Sequence, residues 1–161
     1  MDSATQIKLQ KLQQLTTLVL HPDENSEYYF QDVWQATHSR ITQYCNELLC
    51  IKGETNEEEA TICLALLMAY HVSPYRDVHC IQQLLNRTYY ILPKLSSSLL
   101  KCELLTYCYG EIYEEELLKE AYTILMTCKG SVWQKREVMN LLSLMEENKQ
   151  YCFTIDGDEY E

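Results

Sequence analysis

A chain of 161 residues, 47% of them apolar, is long enough to bury one real core and too apolar to be disordered throughout. Four glycines and three prolines are too few for the turns of a β-sandwich or barrel, so the composition favours helices. A net charge of −11 disfavours nucleic acid, whose binding draws on Lys and Arg against phosphates, and favours a basic protein surface as partner.

Seven helices follow in chain order. The first spans about Thr5 to Leu20, with Leu9, Leu12, Leu15 and Val19 on one face, and His21-Pro22-Asp23-Glu24-Asn25 ends it. The second spans about Glu27 to Ile51, where Phe30, Val33, Trp34, Thr37, Ile41, Tyr44, Cys45 and Leu48 keep the 3.6-residue period. Gly53 is its expected left-handed terminator. Thr55 and Glu58 form a capping box for the third helix. Glu57, Glu58 and Glu59 then meet the positive end of its dipole. That helix continues through Ile62 to Tyr70 with apolar residues on every side, so it is expected at the centre of the fold.

Ser73-Pro74 reads as the start of the fourth helix, with Val78, Ile81, Leu85, Thr88 and Leu92 facing inward and Pro93 as the next break. The fifth helix lies near Ser97 to Tyr109 and is expected to stop at Gly110. The sixth runs from about Ile112 to Cys128, burying Leu117, Leu118, Ala121, Leu125 and Cys128, with Gly130 as its end. Ser131 and Gln134 form a second capping box, and the seventh helix buries Val138, Leu141, Leu142 and Met145. The expected architecture is therefore all-α, a single-domain bundle of about seven helices around a buried central one. The helical domain covers residues 1–148, and residues 149–161 form an acidic, flexible tail. A tetratricopeptide array is rejected, because its residue pattern does not recur at 34 residues.

Catalytic and metal chemistry find little support. His71, His79 and Cys80 are too loosely spaced, across a Ser-Pro break, for a zinc site. Glu57–Glu59 and Glu114–Glu116 supply carboxylates, but both triplets fall in first helical turns, where the dipole accounts for them. No glycine-rich phosphate loop occurs. The eight cysteines include no Cys-x-x-Cys pair, and Met1 to Lys11 has no apolar signal core. They read as reduced thiols on apolar faces, in a cytoplasmic protein. The longest apolar run, Ile62 to Tyr70, is too short for a membrane span. No enzyme, metal or cofactor is expected.

The junction of helices five and six is the most informative segment. Seven of the eleven excess negative charges fall in residues 111–161, which hold twelve acids and five bases. Thirteen tyrosines stand against two phenylalanines, and Tyr107, Tyr109 and Tyr113 crowd this junction. Tyrosine suits interfaces because its body is apolar and its hydroxyl can stay wet. The candidate partner-binding residues are Tyr107, Tyr109, Glu111, Tyr113, Glu114 and Glu115, with Glu111 and Glu115 expected on one face of the sixth helix.

Residues Glu57-Glu58-Glu59-Ala60-Thr61-Ile62-Cys63-Leu64-Ala65-Leu66-Leu67-Met68-Ala69-Tyr70, and above all Ser98-Leu99-Leu100-Lys101-Cys102-Glu103-Leu104-Leu105-Thr106-Tyr107-Cys108-Tyr109-Gly110-Glu111-Ile112-Tyr113-Glu114-Glu115-Glu116-Leu117, resemble the UpxZ family. The resemblance extends more loosely over most of the chain and is weakest between Tyr75 and Gln83 and after Gly130. It implies a small cytoplasmic regulator encoded in a capsular polysaccharide locus. Such a protein antagonises NusG-like antiterminators of the UpxY family and thereby represses other capsule loci. The alternative from the residues alone is a helical adaptor whose partner is unrelated to transcription. Oligomeric state is open at this level.

Overall fold

The computed structural model describes residues 1–22 and 27–159, with side chains through Gln150. Asp23, Glu24 and Asn25 of the expected first turn lie outside the described residues, as do Tyr160 and Glu161 of the tail and the thiol of Cys152. The described residues form seven α-helices and two 3₁₀ turns, without a strand. They group into two compact units, Met1–Lys94 and Leu95–Glu161. The all-α expectation holds.

In the first unit, α1 (Ser3–Leu20) starts at Asp2, whose carboxylate accepts from the Thr5 amide at 2.7 Å. Leu9 and Leu12 are buried, while Leu15 and Val19 are half-buried. A 3₁₀ turn, Glu27–Tyr29, precedes α2 (Gln31–Leu49), so the long second helix of the sequence reading is divided. Phe30 sits at the N-cap of α2 and is 62% exposed, where the periodicity placed it inward. α3 (Asn56–Val72) packs against α1, α2 and α4 and buries ten of its residues, so it is the surrounded helix of this unit. The Thr55 hydroxyl accepts from the Glu58 amide at 3.1 Å, but Glu58 returns its carboxylate to the Glu54 amide, so the expected box closes one residue early.

Gly53 is not left-handed. It is required for another reason: a Cβ there would run into the backbone of Glu58 and Glu59. Its amide donates to Glu59 at 3.2 Å. Ser73 closes α3 instead of opening α4 (Val78–Ile91). Asp77 opens α4 by accepting from the His79 and Cys80 amides, which turns Val78 outward, 77% exposed. Ile81, Leu85, Thr88 and Leu92 are buried as expected. One arginine joins three elements of this unit. Arg87 on α4 pairs with Glu59 on α3, with Nη2 to Oε1 at 2.6 Å. It also donates to the carbonyls of Leu49 (2.9 Å) and Ile51 (2.7 Å) where α2 ends. Those carbonyls would otherwise be orphaned at a helix terminus.

In the second unit, α5 (Leu99–Ile112) is capped by Ser98 and does not stop at Gly110. Gly110 stays helical, and a Cβ there would collide with the thioether of Met145 on α7. It is a packing glycine, and the helix runs on for two residues. α6 (Glu115–Thr127) buries Leu117, Leu118, Ala121, Ile124 and Leu125. Its chain leaves at Cys128, before Gly130. The Ser131–Gln134 box is formed reciprocally at 3.1 and 3.2 Å. It opens α7 (Val132–Glu159), which continues well past Asn148, where the sequence reading ended it. Val138, Leu142 and Met145 are buried, and Leu141 is half-buried.

Candidate partner-binding site

The turn between α5 and α6 is made by Tyr113, whose φ of 55° and ψ of 35° place it in the left-handed region. Its amide donates to the Tyr109 carbonyl at 2.7 Å and closes α5. Glu114 then takes the N-cap position of α6, and its carbonyl accepts from Leu117 at 3.1 Å. Glu111 thus belongs to the last turn of α5 and Glu115 to the first turn of α6. The expected shared face of Glu111 and Glu115 is overturned, because the left-handed residue between them interrupts the helical period.

The six candidate residues separate by burial. Tyr107 and Tyr109 are 5% and 1% exposed, so neither ring is presented to a partner in this conformation. Glu111 and Tyr113 are half-buried, while Glu114 and Glu115 are exposed, as is Glu116. The structure therefore stacks the site in two levels. Tyr109 lies beneath, its ring edge-on to that of Tyr113 with centroids 5.5 Å apart. The carboxylates lie above.

Lys149 joins these levels, and the sequence reading missed it by assigning it to the tail. Its ammonium donates to the Tyr113 carbonyl at 3.4 Å and lies 3.8 Å from a Glu115 oxygen and 6.0 Å from the Tyr109 ring centre. The available signal was the spacing Leu142, Met145, Lys149, which continues the inner face of α7 past Asn148. Nearby, the Tyr122 hydroxyl donates to the Glu146 carboxylate.

Burial, then Glu115 and Glu146, hold the Tyr109 hydroxyl above its ordinary pKa. Burial and then Glu103 push Tyr107 up to about 12. Burial, then Glu137, raises Glu103 in turn. Tyr107 and Tyr109 are therefore held in the neutral form. Among the described residues no cluster of His, Cys, Asp or Glu converges to hold a metal. No described helix is long and apolar enough to cross a membrane. What the arrangement can do is present exposed carboxylates, on a turn braced by Lys149, to a positively charged surface.

Residues 9–110 match the model of the UpxZ family of transcription anti-terminator antagonists. The chain belongs to this family. The fold is similar to a solved one, the crystal structure of a transcription anti-terminator antagonist UpxZ from Bacteroides uniformis ATCC 8492. It is 28% identical, with a TM-score of 0.72 over 88% of this chain and 94% of that one. No curated protein matches the chain in sequence. The UpxZ match includes Tyr107 and Tyr109 and ends at Gly110. The buried tyrosines thus belong to the shared UpxZ segment, whereas Glu111, Tyr113, Glu114 and Glu115 lie just beyond it.

Proposed function

We propose that this UpxZ-family protein binds a NusG-like antiterminator of the UpxY type and keeps it from the elongating polymerase, so that other capsular polysaccharide loci stay silent. The observation that carries this reading is the family match, whose members are anti-terminator antagonists. The exposed carboxylates at the α5–α6 turn support a basic face on the partner as the point of contact. Charge of this kind acts mainly on encounter rate, and a partly buried aromatic beside it acts on residence time. In this reading Glu111, Glu114 and Glu115 steer the encounter, Tyr113 makes the aromatic contact, and Tyr107 and Tyr109 support it from beneath. The protein works in the cytoplasm, without direct contact to nucleic acid. Its functional body is residues 1–148 together with Lys149, and the remaining acidic residues form an accessory tail.

The test is binding kinetics against a purified NusG-like antiterminator from another capsule locus. The parent protein binds, and association slows as salt rises. The Glu111→Lys/Glu115→Lys variant, folded by circular dichroism, associates several-fold more slowly with a similar dissociation rate. A parent that does not bind defeats the antiterminator reading. A folded variant that binds like the parent moves the interface elsewhere.

A further inference from the structure

The corner between α6 and α7 is basic, although the chain as a whole is acidic. From Ala121 to Arg136 there is no acidic residue, and Lys129, Lys135 and Arg136 fall within eight positions, in a protein of net charge −11. None of the three makes an ion pair among the described residues. Three large apolar side chains stand out here: Met126, Val132 and Trp133 are 76%, 75% and 65% exposed. The Ser131–Gln134 box closes the corner with two reciprocal hydrogen bonds, and Lys135 and Gln134 lie close to Gly130. Helix electrostatics do not account for the charge. Lys135 and Arg136 stand close to the positive end of the α7 dipole, where cations are disfavoured, and no carboxylate lies in that first turn. Exposed Trp and Met beside Arg is the composition of an interface core.

The charge complement lies at the other end of α6. Glu115 and Glu116 are exposed in its first turn, and α6, with 13 residues, is about 20 Å long. Between them the outward residues Lys119, Thr123 and Met126 form a continuous exposed strip. A helix with an acidic start and a basic, apolar end is complementary to itself when two copies run antiparallel. We propose that α6 and the α6–α7 corner form a two-fold self-association surface whose occupant is a second copy of this chain. Each copy sets Glu115 and Glu116 against Lys129 and Arg136 of the other, and the two-fold axis passes near Thr123. Met126 and Trp133 are covered at both ends. Such a pairing closes on itself and does not propagate. One helix offers a strip smaller than a standard interface, so the dimer is weak and depends on concentration. This inference goes beyond the antagonist role and does not rest on it.

The test is sedimentation of the full chain across the micromolar range, without any antiterminator. The expected result is a mass rising from one chain toward two with concentration and falling back at high salt. Trp133→Ser, Lys129→Glu/Arg136→Glu and Glu115→Lys/Glu116→Lys should each remain monomeric while keeping the parent's circular dichroism. An equimolar mixture of the two charge-reversed proteins should dimerise again, since reversal restores both ends of the pairing. Damage to folding cannot produce that rescue. A parent that is monomeric throughout, a dimer indifferent to these substitutions, or a mixture that stays monomeric overturns the proposal. A corner that fails this test yet takes up a short single-stranded RNA would mark a nucleic-acid contact in its place.

Discussion

Tyr113 is the residue on which the candidate site turns. A left-handed backbone costs a side chain with a Cβ on the order of 1–2 kcal/mol, and glycine escapes it. Here a tyrosine accepts that cost while its ring packs edge-on to Tyr109, a contact worth about 0.5–1.5 kcal/mol. Replacing Tyr113 by Ala removes the ring but keeps the strain, and replacing it by Gly removes both. Urea denaturation should therefore find Tyr113→Gly more stable than Tyr113→Ala by about 1 kcal/mol. Equal stabilities would mean that the turn relaxes when the ring is lost. A second residue-scale prediction concerns His38. It is 1% exposed, its Nε2 lies 3.0 Å from the Tyr28 hydroxyl, and its Nδ1 has no partner. Burial holds its pKa below the ordinary 6.5. Because the unfolded chain takes up the proton first, this contribution to stability is complete above about pH 6.5 and is lost as pH falls through the lowered folded value. The thermal midpoint should decline below that pH in the parent and decline less steeply in His38→Gln.

At the scale of elements, Arg87 shows how one side chain can hold three helices in register. It satisfies the Glu59 carboxylate and two carbonyls at the end of α2. Removing one partner of such a buried pair strands the other charge, which costs about 3–5 kcal/mol. Arg87→Ala is expected to lose that much in chemical denaturation. Arg87→Lys should recover only part, because a single ammonium cannot fork to a carboxylate and two carbonyls. Nothing in the local sequence around Arg87 announces these contacts, since its partners lie 28 to 38 residues earlier. The central helix was legible because an all-round apolar run allows few other fates. The Ser131–Gln134 box was legible because it is a local signal. Breaks were read less well. Gly53 and Gly110 look like terminators in sequence, yet both serve close packing, Gly53 against the backbone of Glu58 and Glu59 and Gly110 against the distant Met145. The true break fell on Tyr113, which has no such signature. The buried positions of Tyr107 and Tyr109 were hidden for a similar reason, because an amphipathic ring reads alike at a surface and in a core. Lys149 was hidden by the acidic residues that follow it.

Across the whole molecule, cysteine chemistry divides along burial. Burial pushes the Cys45 and Cys102 thiols up to about 12 and Cys63 to about 11, while Cys50 is exposed and Cys80 half-exposed. A thiol reacts as its thiolate, so the buried ones are doubly protected, by access and by protonation. Among the cysteines whose side chains are described, limited alkylation of the native protein, read by peptide mass spectrometry, should label Cys50 first and Cys80 next. Cys45, Cys63 and Cys102 should become reactive only under denaturant. Early labelling of any of these three would show that the surrounding helices open far more readily than their packing indicates.

The contact of Gly110 with Met145 leaves one seam of the second unit without spare room. Oxidation converts a thioether to a sulfoxide, adding a polar oxygen to the sulfur. At Met126, 76% exposed, that oxygen would project into water. At Met145, 1% exposed and packed beside Gly110, it would be buried away from water. Under mild peroxide Met126 should be modified quickly and Met145 only as fast as the seam opens. Chains carrying Met145 sulfoxide should then fail to reclose it, with loss of tertiary structure that methionine sulfoxide reductase restores. The two methionines together make the protein a clock for oxidative exposure: one records that peroxide was present, the other that the fold had let it in.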